Sequence, residues 1–515
     1  MKRAELPETV RLPDGRTEPF EPERITRSLF AAAERVGRPD AFLARELTES
    51  VLHFLSAEGT TPPTTPGEIA DLVVKVVREL GQPDLAEAFA HRSDSANLAP
   101  PIPVAATFPA RLRPDRDPAA VVRSALAEIL TDFSLTRLFP RELVSAHEEG
   151  LIRLTGLATP LELAGSRTPL PATRVAEAMS RAREASGEFV AVDGPEYDLA
   201  DRAGEQDLLA AAYAREIASA AQVHGLTVIL NLHIASPPPR LSGGSGPLFE
   251  SGTHRDADRR KKIATALADR ADQSAFTVWW HLTATEARGA DPDLQSVVRA
   301  ALAGKPVEFV FDRPRTSVHL GPGVDRQTPA TLIQVGVNLA HLVQLMGGYP
   351  VDPIVFLRKV GSLTRFAKTA AHVKLDFLRR HGRPAIREAF LLDRARLVLV
   401  PAGLSEAARA SDGTAAEFAR MIVKTMRYAA ETDRPRVLPV RVDCSLSDSE
   451  PLAVAERGLP LHQQVKLASS LHAAVGAGRL DLNITAGHAI GVPEAIEAIR
   501  LAAESSVSRL RFTRF

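Results

Sequence analysis

The chain has 515 residues, 45% of them hydrophobic, and its 63 basic residues balance its 63 acidic residues. This length exceeds one ordinary core, so we expect a small module and one large domain. The zero net charge excludes a bulk electrostatic attraction to nucleic acid or to an anionic membrane. The single cysteine, Cys444, excludes an intrachain disulfide, a four-cysteine zinc site and a dithiol pair. We therefore expect no nucleic-acid partner, no zinc and no iron–sulfur cluster.

Hydropathy argues against a membrane location. No apolar run of the sequence approaches the length of a membrane span, and the first ten residues lack the apolar core of a signal peptide. We therefore expect a cytoplasmic protein without a membrane partner.

The first structural signal is the sequence VRLPDGRTEPFEPERI at residues 10–25. Asp14-Gly15 between β-capable residues predicts a hairpin, because glycine readily adopts the positive φ of a tight turn. Pro22 presets φ for a first helical turn, and Glu23 lies where the helix dipole favours negative charge. The stretch predicts a β-hairpin over the start of a helix, with basic residues at the edge of a small pocket.

Helical spacing of apolar residues continues in three further segments. The sequence Thr-Pro-Gly-Glu-Ile at 65–69 starts one of these helices, Gly81 closes it, and residues 85–89 begin the last. Four helices under a hairpin predict a module of roughly a hundred residues, near the low end of domain size. We assign this module to residues 1–96.

This order of elements resembles the ATP-cone, the nucleotide-sensing module at the N-terminus of many ribonucleotide reductases. The resemblance rests on V-x-x-x-D-G-R-x-E-x-F-x-x-x-R-I at 10–25, on the helix start at 65–69 and on L-A-x-A-F-x-H-R at 85–92. It implies that ATP or dATP, with or without Mg²⁺, binds near residues matched by position. Val10, Glu18, Arg24 and Thr65 would face the nucleotide, with His91 or Arg92 near the phosphates. Arg11 and Arg16 complete the expected set as substitutes for a basic pair of the family.

One departure from the family pattern bears on affinity. The family usually has a basic pair just before Asp-Gly, whereas this chain has Leu12-Pro13 between Arg11 and Arg16. The alternative interpretation is a helical interaction domain that binds no nucleotide.

Residues 97–118 are rich in proline and arginine and predict a linker, followed by a large domain at 119–515. In this domain strand-like runs alternate with long helices, which predicts a largely parallel sheet or barrel covered by helices. The clearest predicted strands are 226–234, 276–282, 307–311, 397–400, 437–442 and 480–484. The longest predicted helices are 352–380 and 494–505.

Parts of the large domain resemble the anaerobic (class III) ribonucleotide reductases. The matching stretches are QVGVNLAH at 334–341, LVPAGLSE at 399–406, the segment 482–515 and the frame of EEGLIRLTGL around Gly150. This resemblance implies the ten-stranded α/β barrel of that superfamily, with many outer helices. The implied fold class is therefore α/β, with a small helical ATP-cone carrying a β-hairpin lid before the barrel.

The residues of the family's radical chemistry are missing at the matched positions. In the loop 312–318, Pro314 stands where the family's G-C-R-T motif would place its cysteine, and proline has no S–H group. No glycine follows Gly491 to match the family's C-terminal radical glycine, and the zinc cysteines are absent. Cys444 follows an apolar run and is expected to be a structural thiol. We predict no catalytic residues for the family's mechanism.

Other candidate sites give weaker signals. The glycine-rich sequence at 242–246 lacks the Gly-Lys-Ser/Thr of a phosphate-binding loop. His233, His281, His319 and His341 show no helical metal-binding spacing, so the favoured interpretation is core or surface histidines and no metal site.

The predicted function is that of a pseudoenzyme: an ATP- or dATP-binding, ribonucleotide-reductase-like protein with a regulatory or scaffold role. Nucleotide would favour one assembly state of a homodimer or of a complex with a partner protein. Two alternatives stay open. In one, the chain is an enzyme, by non-radical chemistry using Asp312, Arg313, Arg315 and Glu406 or by an unrecognised route of ribonucleotide reduction. In the other, it is a structural protein whose cone binds nothing.

Overall fold

The computed structural model divides into two compact units, Met1–Leu151 and Ile152–Phe515. The predicted boundaries at 1–96, 97–118 and 119–515 stay predictions. The structure describes residues 7, 9–11, 16–57, 65–90, 118–159, 161–165, 186–234, 257–272, 276–289, 291–314, 316–328, 330–382, 392–411, 414–432, 438–443, 460–475, 479–483 and 490–513.

The first unit begins with the predicted hairpin. Strands β1 (Thr9–Arg11) and β2 (Thr17–Pro19) pair antiparallel, with Val10 opposite Glu18. The predicted turn at Asp14-Gly15 lies outside the described residues. The four predicted helices are confirmed as α1 (Pro22–Arg35), α2 (Ala41–Ala57), α3 (Pro66–Glu79) and α4 (Pro83–Ala90).

Local sequence explains where these helices begin and which face they bury. Pro22 occupies the first turn of α1, and Ile25 and Leu29 lie on its buried face. Helix α3 is preceded by a capping box, in which the Thr65 side chain accepts from the Glu68 amide and the Glu68 carboxylate accepts from the Thr65 amide.

The first unit extends past the hairpin and its four helices. It includes α5 (Pro118–Phe133), a wide helical turn at Ser134–Leu138 and α6 (Arg141–Glu148). Arg141 on α6 pairs with Glu34 on α1 at 3.3 Å. Helix α6 therefore packs with the hairpin-bearing module.

The second unit contains the strands β3 (Ile152–Leu154), β4 (Leu161–Gly165), β5 (Ser186–Asp193), β6 (Thr227–His233), β7 (Phe276–Leu282), β8 (Val307–Phe311), β9 (His319–Gly321), β10 (Val324–Asp325), β11 (Ala330–Asn338), β12 (Arg396–Ala402), β13 (Val440–Val442), β14 (Arg479–Asn483) and β15 (Arg509–Thr513). Its helices are α7 (Pro195–Ala200), α8 (Gln206–His224), α9 (Ala257–Asp269), α10 (Ala284–Arg288), α11 (Pro292–Leu302), α12 (Leu339–Leu345), α13 (Pro353–His381), α14 (Leu404–Arg409), α15 (Ala415–Thr432), α16 (Leu461–Val475) and α17 (Val492–Ala503). Both ends of β7 and β8 agree with the predicted strands.

Ten of these strands form one continuous path, β13-β12-β11-β4-β5-β6-β7-β8-β15-β14. Strands β4 to β8 run parallel to one another, and the pairs β11–β4 and β8–β15 are antiparallel. The path therefore consists of two sets of five strands that run in opposite directions. Strand β3 pairs with β11 outside this path. The predicted α/β class with a largely parallel sheet is confirmed.

Side chains on the parallel strands alternate between two environments, as the pleat requires. On β7, Trp280 belongs to the apolar cluster beneath the helices, whereas Trp279 belongs to a smaller cluster on the opposite face. We call the side of the sheet that carries this smaller cluster the inner face. The cluster consists of Ala191, Ile229, Trp279, Val310, Val318 and Leu320.

Within the described ranges, no helix is both long enough and apolar enough to span a membrane.

The glycine before α14 gives a stability prediction. Gly403 has φ of 72°, and a Cβ there would lie 2.6 Å from the Ala340 Cβ and 2.9 Å from its amide nitrogen. Gly304 also has a positive φ, of 94°, but a Cβ there would meet nothing within 4 Å. We expect Gly304→Ala to lower the free energy of unfolding by about 1–2 kcal/mol. Gly403→Ala should lower it by roughly 1–3 kcal/mol more, because of the steric overlap.

Urea unfolding followed by circular dichroism measures both losses. Equal losses in the two variants would contradict the close approach of Gly403 to α12.

Candidate functional site

The first unit has a cleft between its hairpin and helices α1, α3 and α4. The cleft has a volume of about 650 Å³, including its open mouth. Buried apolar side chains of Ile69, Val73 and Phe89 contribute to its lining, and Glu18 and Arg24 contribute polar groups. Apolar walls with a few polar groups are typical of small-molecule sites.

The charged groups of the cleft are paired with each other and lie near solvent. Arg24 Nη1 lies 3.0 Å from Glu18 Oε2, and Arg24 Nε lies 3.4 Å from Glu21 Oε2. The Arg24 side chain is 58% exposed, so these pairs contribute little to stability. A guanidinium in this position is accessible to an anionic ligand that competes with the carboxylates.

The sequence-predicted nucleotide residues divide into three groups. Val10, Glu18 and Arg24 line the cleft together. Arg11 and Arg16 belong to a second group, which does not line the cleft. Arg11 ends β1, Arg16 directly precedes β2, and both are exposed.

Thr65 belongs to the same second group, because it does not line the cleft, although the adjacent Pro66 does. The Thr65 hydroxyl instead accepts from the Glu68 amide in the capping box of α3. His91 and Arg92 form the third group and lie outside the described residues. Leu12-Pro13, the departure from the family pattern, lies outside them too.

A second cluster of functional side chains lies in the second unit, at the carboxyl ends of four adjacent parallel strands. Asp193 ends β5, His233 ends β6, His281 is next to last in β7 and Asp312 directly follows β8. The register places His233 opposite His281 and Asp193 opposite Asn231. By the alternation of the strands, these side chains share the inner face. We call Asp193, Asn231, His233, His281 and Asp312, together with Arg326, the inner polar cluster.

Asp193 is the buried anion of this cluster. Its carboxylate accepts from His233 Nε2 at 2.5 Å and from Arg326 Nε at 2.9 Å. Burial alone raises the pKa of Asp193, but His233 and Arg326 outweigh burial and hold that pKa well below its usual range. Burial and the neighbouring His281 lower the pKa of His233 to about 4. At neutral pH the cluster therefore holds a charged Asp193 beside an uncharged His233.

His281 is held from both sides of its ring. Asn231 Nδ2 donates to the Leu320 carbonyl at 2.8 Å and to the Val192 carbonyl at 3.4 Å, which turns Asn231 Oδ1 toward His281. His281 Nε2 lies 2.9 Å from that oxygen and so is assigned as the donor. His281 Nδ1 lies 3.1 Å and 3.2 Å from the two oxygens of Asp312.

Glu196 adds a buried acid beside the cluster. Its Oε1 accepts from the His233 amide at 2.8 Å, and its Oε2 has no hydrogen-bond partner in the described structure. Burial raises the pKa of Glu196 to about 8, so its carboxyl is mostly protonated at pH 7.

Three of these residues place possible metal-ligand atoms close together. Donor atoms of His233, His281 and Asp312, one from each residue, all lie within 4.8 Å of one another, and the two imidazole centroids are 4.1 Å apart. Two imidazole nitrogens and one carboxylate oxygen form a donor set that can hold a transition metal or move protons.

Sequence reasoning missed this cluster because it searched for histidines at helical spacing. His233 and His281 are buried and hydrogen-bonded, but they meet through strand register and not through spacing along one helix. The available signal was that three apolar strands, β6, β7 and β8, each have a His or Asp within one residue of their carboxyl end.

The other residues considered for non-radical chemistry do not join the cluster. Arg313 donates to the backbone carbonyls of Ser505 and Val507, which gives it a structural role. Glu406 is exposed on α14, and Pro314 is exposed in the connection between β8 and β9. Arg315, Cys444 and the glycine-rich segment 242–246 lie outside the described residues.

Comparisons with known proteins agree with both resemblances. Residues 8–94 match the family model of the ATP cone domain. The chain is similar in structure to the anaerobic ribonucleotide reductase of Thermotoga maritima with citrate in its active site, with a TM-score of 0.59 and 12% identity over 77% of this chain and 91% of that one. The same enzyme with dATP in its specificity site gives a TM-score of 0.60 and 12% identity over 77% and 85%.

A third structure, an anaerobic ribonucleotide reductase, gives a TM-score of 0.58 at 11% identity over 77% of this chain and 79% of that one. No curated protein matches the chain. The N-terminal module is therefore an ATP-cone domain, and the chain has the barrel-like fold of the anaerobic ribonucleotide reductases. At these identities the likeness shows the fold alone.

Arg326 provides a stability test of the inner polar cluster. Arg326→Ala removes a partner of the buried Asp193 carboxylate, and loss of one partner of a buried ion pair costs roughly 3–5 kcal/mol. Arg379→Ala is a matched control, because Arg379 pairs with the exposed Asp393 at 2.9 Å and such surface pairs contribute about 0–1 kcal/mol. Urea unfolding of both variants measures the difference. A loss for Arg326→Ala no larger than that of the control would contradict the buried pairing.

Proposed function

We propose that the cleft of the ATP-cone domain binds ATP or dATP, and that bound nucleotide regulates the protein. The observation that carries this proposal is the convergence of Val10, Glu18 and Arg24 on one cleft. The family pattern implies these same residues as nucleotide contacts. The match of residues 8–94 to the ATP cone domain supports the proposal independently of the geometry.

The chemistry of the cleft fits a nucleotide. Ile69, Val73 and Phe89 offer apolar surface to a base, and Arg24 offers a guanidinium to phosphate oxygens. Arg24 already contacts Glu18, so a triphosphate has to draw the guanidinium away from that carboxylate. A Mg²⁺ ion carried by the nucleotide would offset the negative charge of Glu18 and Glu21.

The proposed role of the barrel is regulatory or scaffolding, without ribonucleotide reduction. This proposal is supported by Pro314, which the family pattern aligns with the reactive cysteine and which has no S–H group. Nucleotide at the cone would act by favouring one assembly state, because a ligand shifts an equilibrium only through its differential affinity for the two states. A homodimer or a complex with a partner protein is the proposed assembly.

A second candidate function is an enzyme that uses non-radical chemistry in the barrel. It is favoured by the inner polar cluster, because the carboxyl ends of parallel strands are where α/β enzymes hold their active sites. Asp312, named in the sequence-based alternative, belongs to this cluster.

Nucleotide binding at the cone is tested by calorimetry with ATP and dATP on the full-length protein. Wild type should give saturable heat, and Arg24→Ala should weaken binding by at least about tenfold, since a charged hydrogen bond contributes about 1.5–3 kcal/mol. Arg27→Ala is the matched control, because Arg27 lies one turn further along α1, is exposed and does not line the cleft.

Light scattering on the same samples measures the assembly state. A change in mass with ATP in wild type but not in Arg24→Ala is the expected result. No saturable heat in wild type would remove the nucleotide proposal, and equal affinity in Arg24→Ala and wild type would remove Arg24 from the site. An unchanged mass would count against the assembly switch.

The absence of ribonucleotide reduction is tested by incubation with ribonucleoside triphosphates under anaerobic activating conditions. We expect no deoxyribonucleotide by chromatography, and its appearance would overturn the proposed loss of radical chemistry. A different nucleotide product that disappears in His281→Ala would instead support the second candidate function.

A further inference from the structure

We infer that His233, His281 and Asp312 form a binding site for one divalent transition-metal ion on the inner face of the second unit. This site is independent of the nucleotide cleft, so it stands or falls separately from the proposed function. It takes the ion through one ring nitrogen of each histidine and one carboxylate oxygen of Asp312.

The distances suit coordination with little movement. Ligand atoms at about 2.0–2.2 Å from a tetrahedral zinc ion lie roughly 3.3–3.6 Å from one another. His281 Nδ1 lies 3.2 Å and His233 Nδ1 lies 3.9 Å from the same oxygen, Asp312 Oδ2. Both separations are within about half an ångström of the expected value, and the three donor atoms all lie within 4.8 Å of one another.

The far nitrogen of each ring is already held by an acceptor. His233 Nε2 lies 2.5 Å from Asp193 Oδ1, and His281 Nε2 lies 2.9 Å from Asn231 Oδ1. A ring that donates through Nε2 keeps the Nδ1 lone pair for a metal ion. This is the arrangement of metal-ligating histidines, whose second nitrogen donates to a carboxylate or carbonyl oxygen.

The supporting partners are themselves fixed in place. Arg326 holds Asp193 at 2.9 Å, and two backbone carbonyls hold the amide of Asn231. The orientation of Asn231 makes His281 Nε2 a donor, so in neutral His281 the Nδ1 lone pair faces the Asp312 carboxylate. Two acceptors at 3.1 Å repel each other unless a cation lies between them. A bound metal ion removes that repulsion.

Burial and access also fit a metal site. The side chains of His233 and His281 are 3% and 1% exposed, whereas Asp312 is 21% exposed. The imidazoles are thus shielded, and an ion can enter from the side of Asp312. With three protein ligands a tetrahedral ion keeps one position for water or a ligand, as in catalytic and not in closed structural zinc sites.

The donor set selects the class of metal. Imidazole nitrogens suit Zn²⁺, Fe²⁺ and similar ions, whereas Mg²⁺ and Ca²⁺ prefer all-oxygen ligands. The site contains no sulfur donor, so the expectation of no zinc, which rested on cysteine count, does not apply to it.

The test uses untagged full-length protein stripped with a chelator and titrated with Zn²⁺ in competition with a chromophoric indicator. Wild type should bind one equivalent with a dissociation constant below about 1 μM, and a hundredfold excess of Mg²⁺ should not displace it. Asp312→Asn keeps the shape of the residue and should weaken binding by at least tenfold. Asn231→Ala should weaken it by about 10–100-fold through loss of the ring support.

A control variant and a second readout separate coordination from misfolding. His224→Ala, at the end of α8, removes a histidine outside the cluster and should leave Zn²⁺ affinity unchanged. Co²⁺-loaded wild type should show visible ligand-field absorption that Asp312→Asn loses while its circular dichroism stays native. Failure of wild type to bind Zn²⁺, or Asp312→Asn binding as tightly as wild type, would overturn the site.

Discussion

Charge compensation on the inner face is the constraint on which the second unit depends. The buried Asp193 is paired with Arg326, which is 133 residues away in sequence. An uncompensated charge in this environment would be severely destabilising, so strand order and register must bring the two residues together. Each inner-face pair therefore fixes the relative position of distant segments.

The same constraint recurs elsewhere in the second unit. Asp325 is paired with Arg396 at 2.9 Å, which connects β10 to β12. Glu308 is paired with Arg509 at 3.0 Å, which connects the antiparallel strands β8 and β15 across the boundary between the two sets of five strands. The guanidinium of Arg509 also lies 4.3 Å from the centre of the Trp279 ring. The inner face thus differs from the outer face, which is apolar and covered by helices.

Much of the architecture was predictable because its signals are local. The first turn of α1 follows from Pro22, and the start of α3 follows from Thr65 and Glu68, whose capping interactions need only four residues. Strands β7 and β8 were predicted to the residue, since each is a short apolar run bounded by breaks. The inner polar cluster was not predictable in this way. His233 and His281 are 48 residues apart, and only the parallel pairing of β6 with β7 makes them neighbours.

Stability alone does not account for the inner polar cluster. Replacing a buried ion pair with well-packed apolar side chains is often neutral or stabilising, so a gain in stability does not by itself explain why Asp193 and Arg326 occupy the inner face. Glu196 adds a buried carboxyl with one oxygen unsatisfied, which is a further cost to the fold. A scaffold without a ligand gains nothing from these groups. The physical argument therefore favours a ligand at His233, His281 and Asp312.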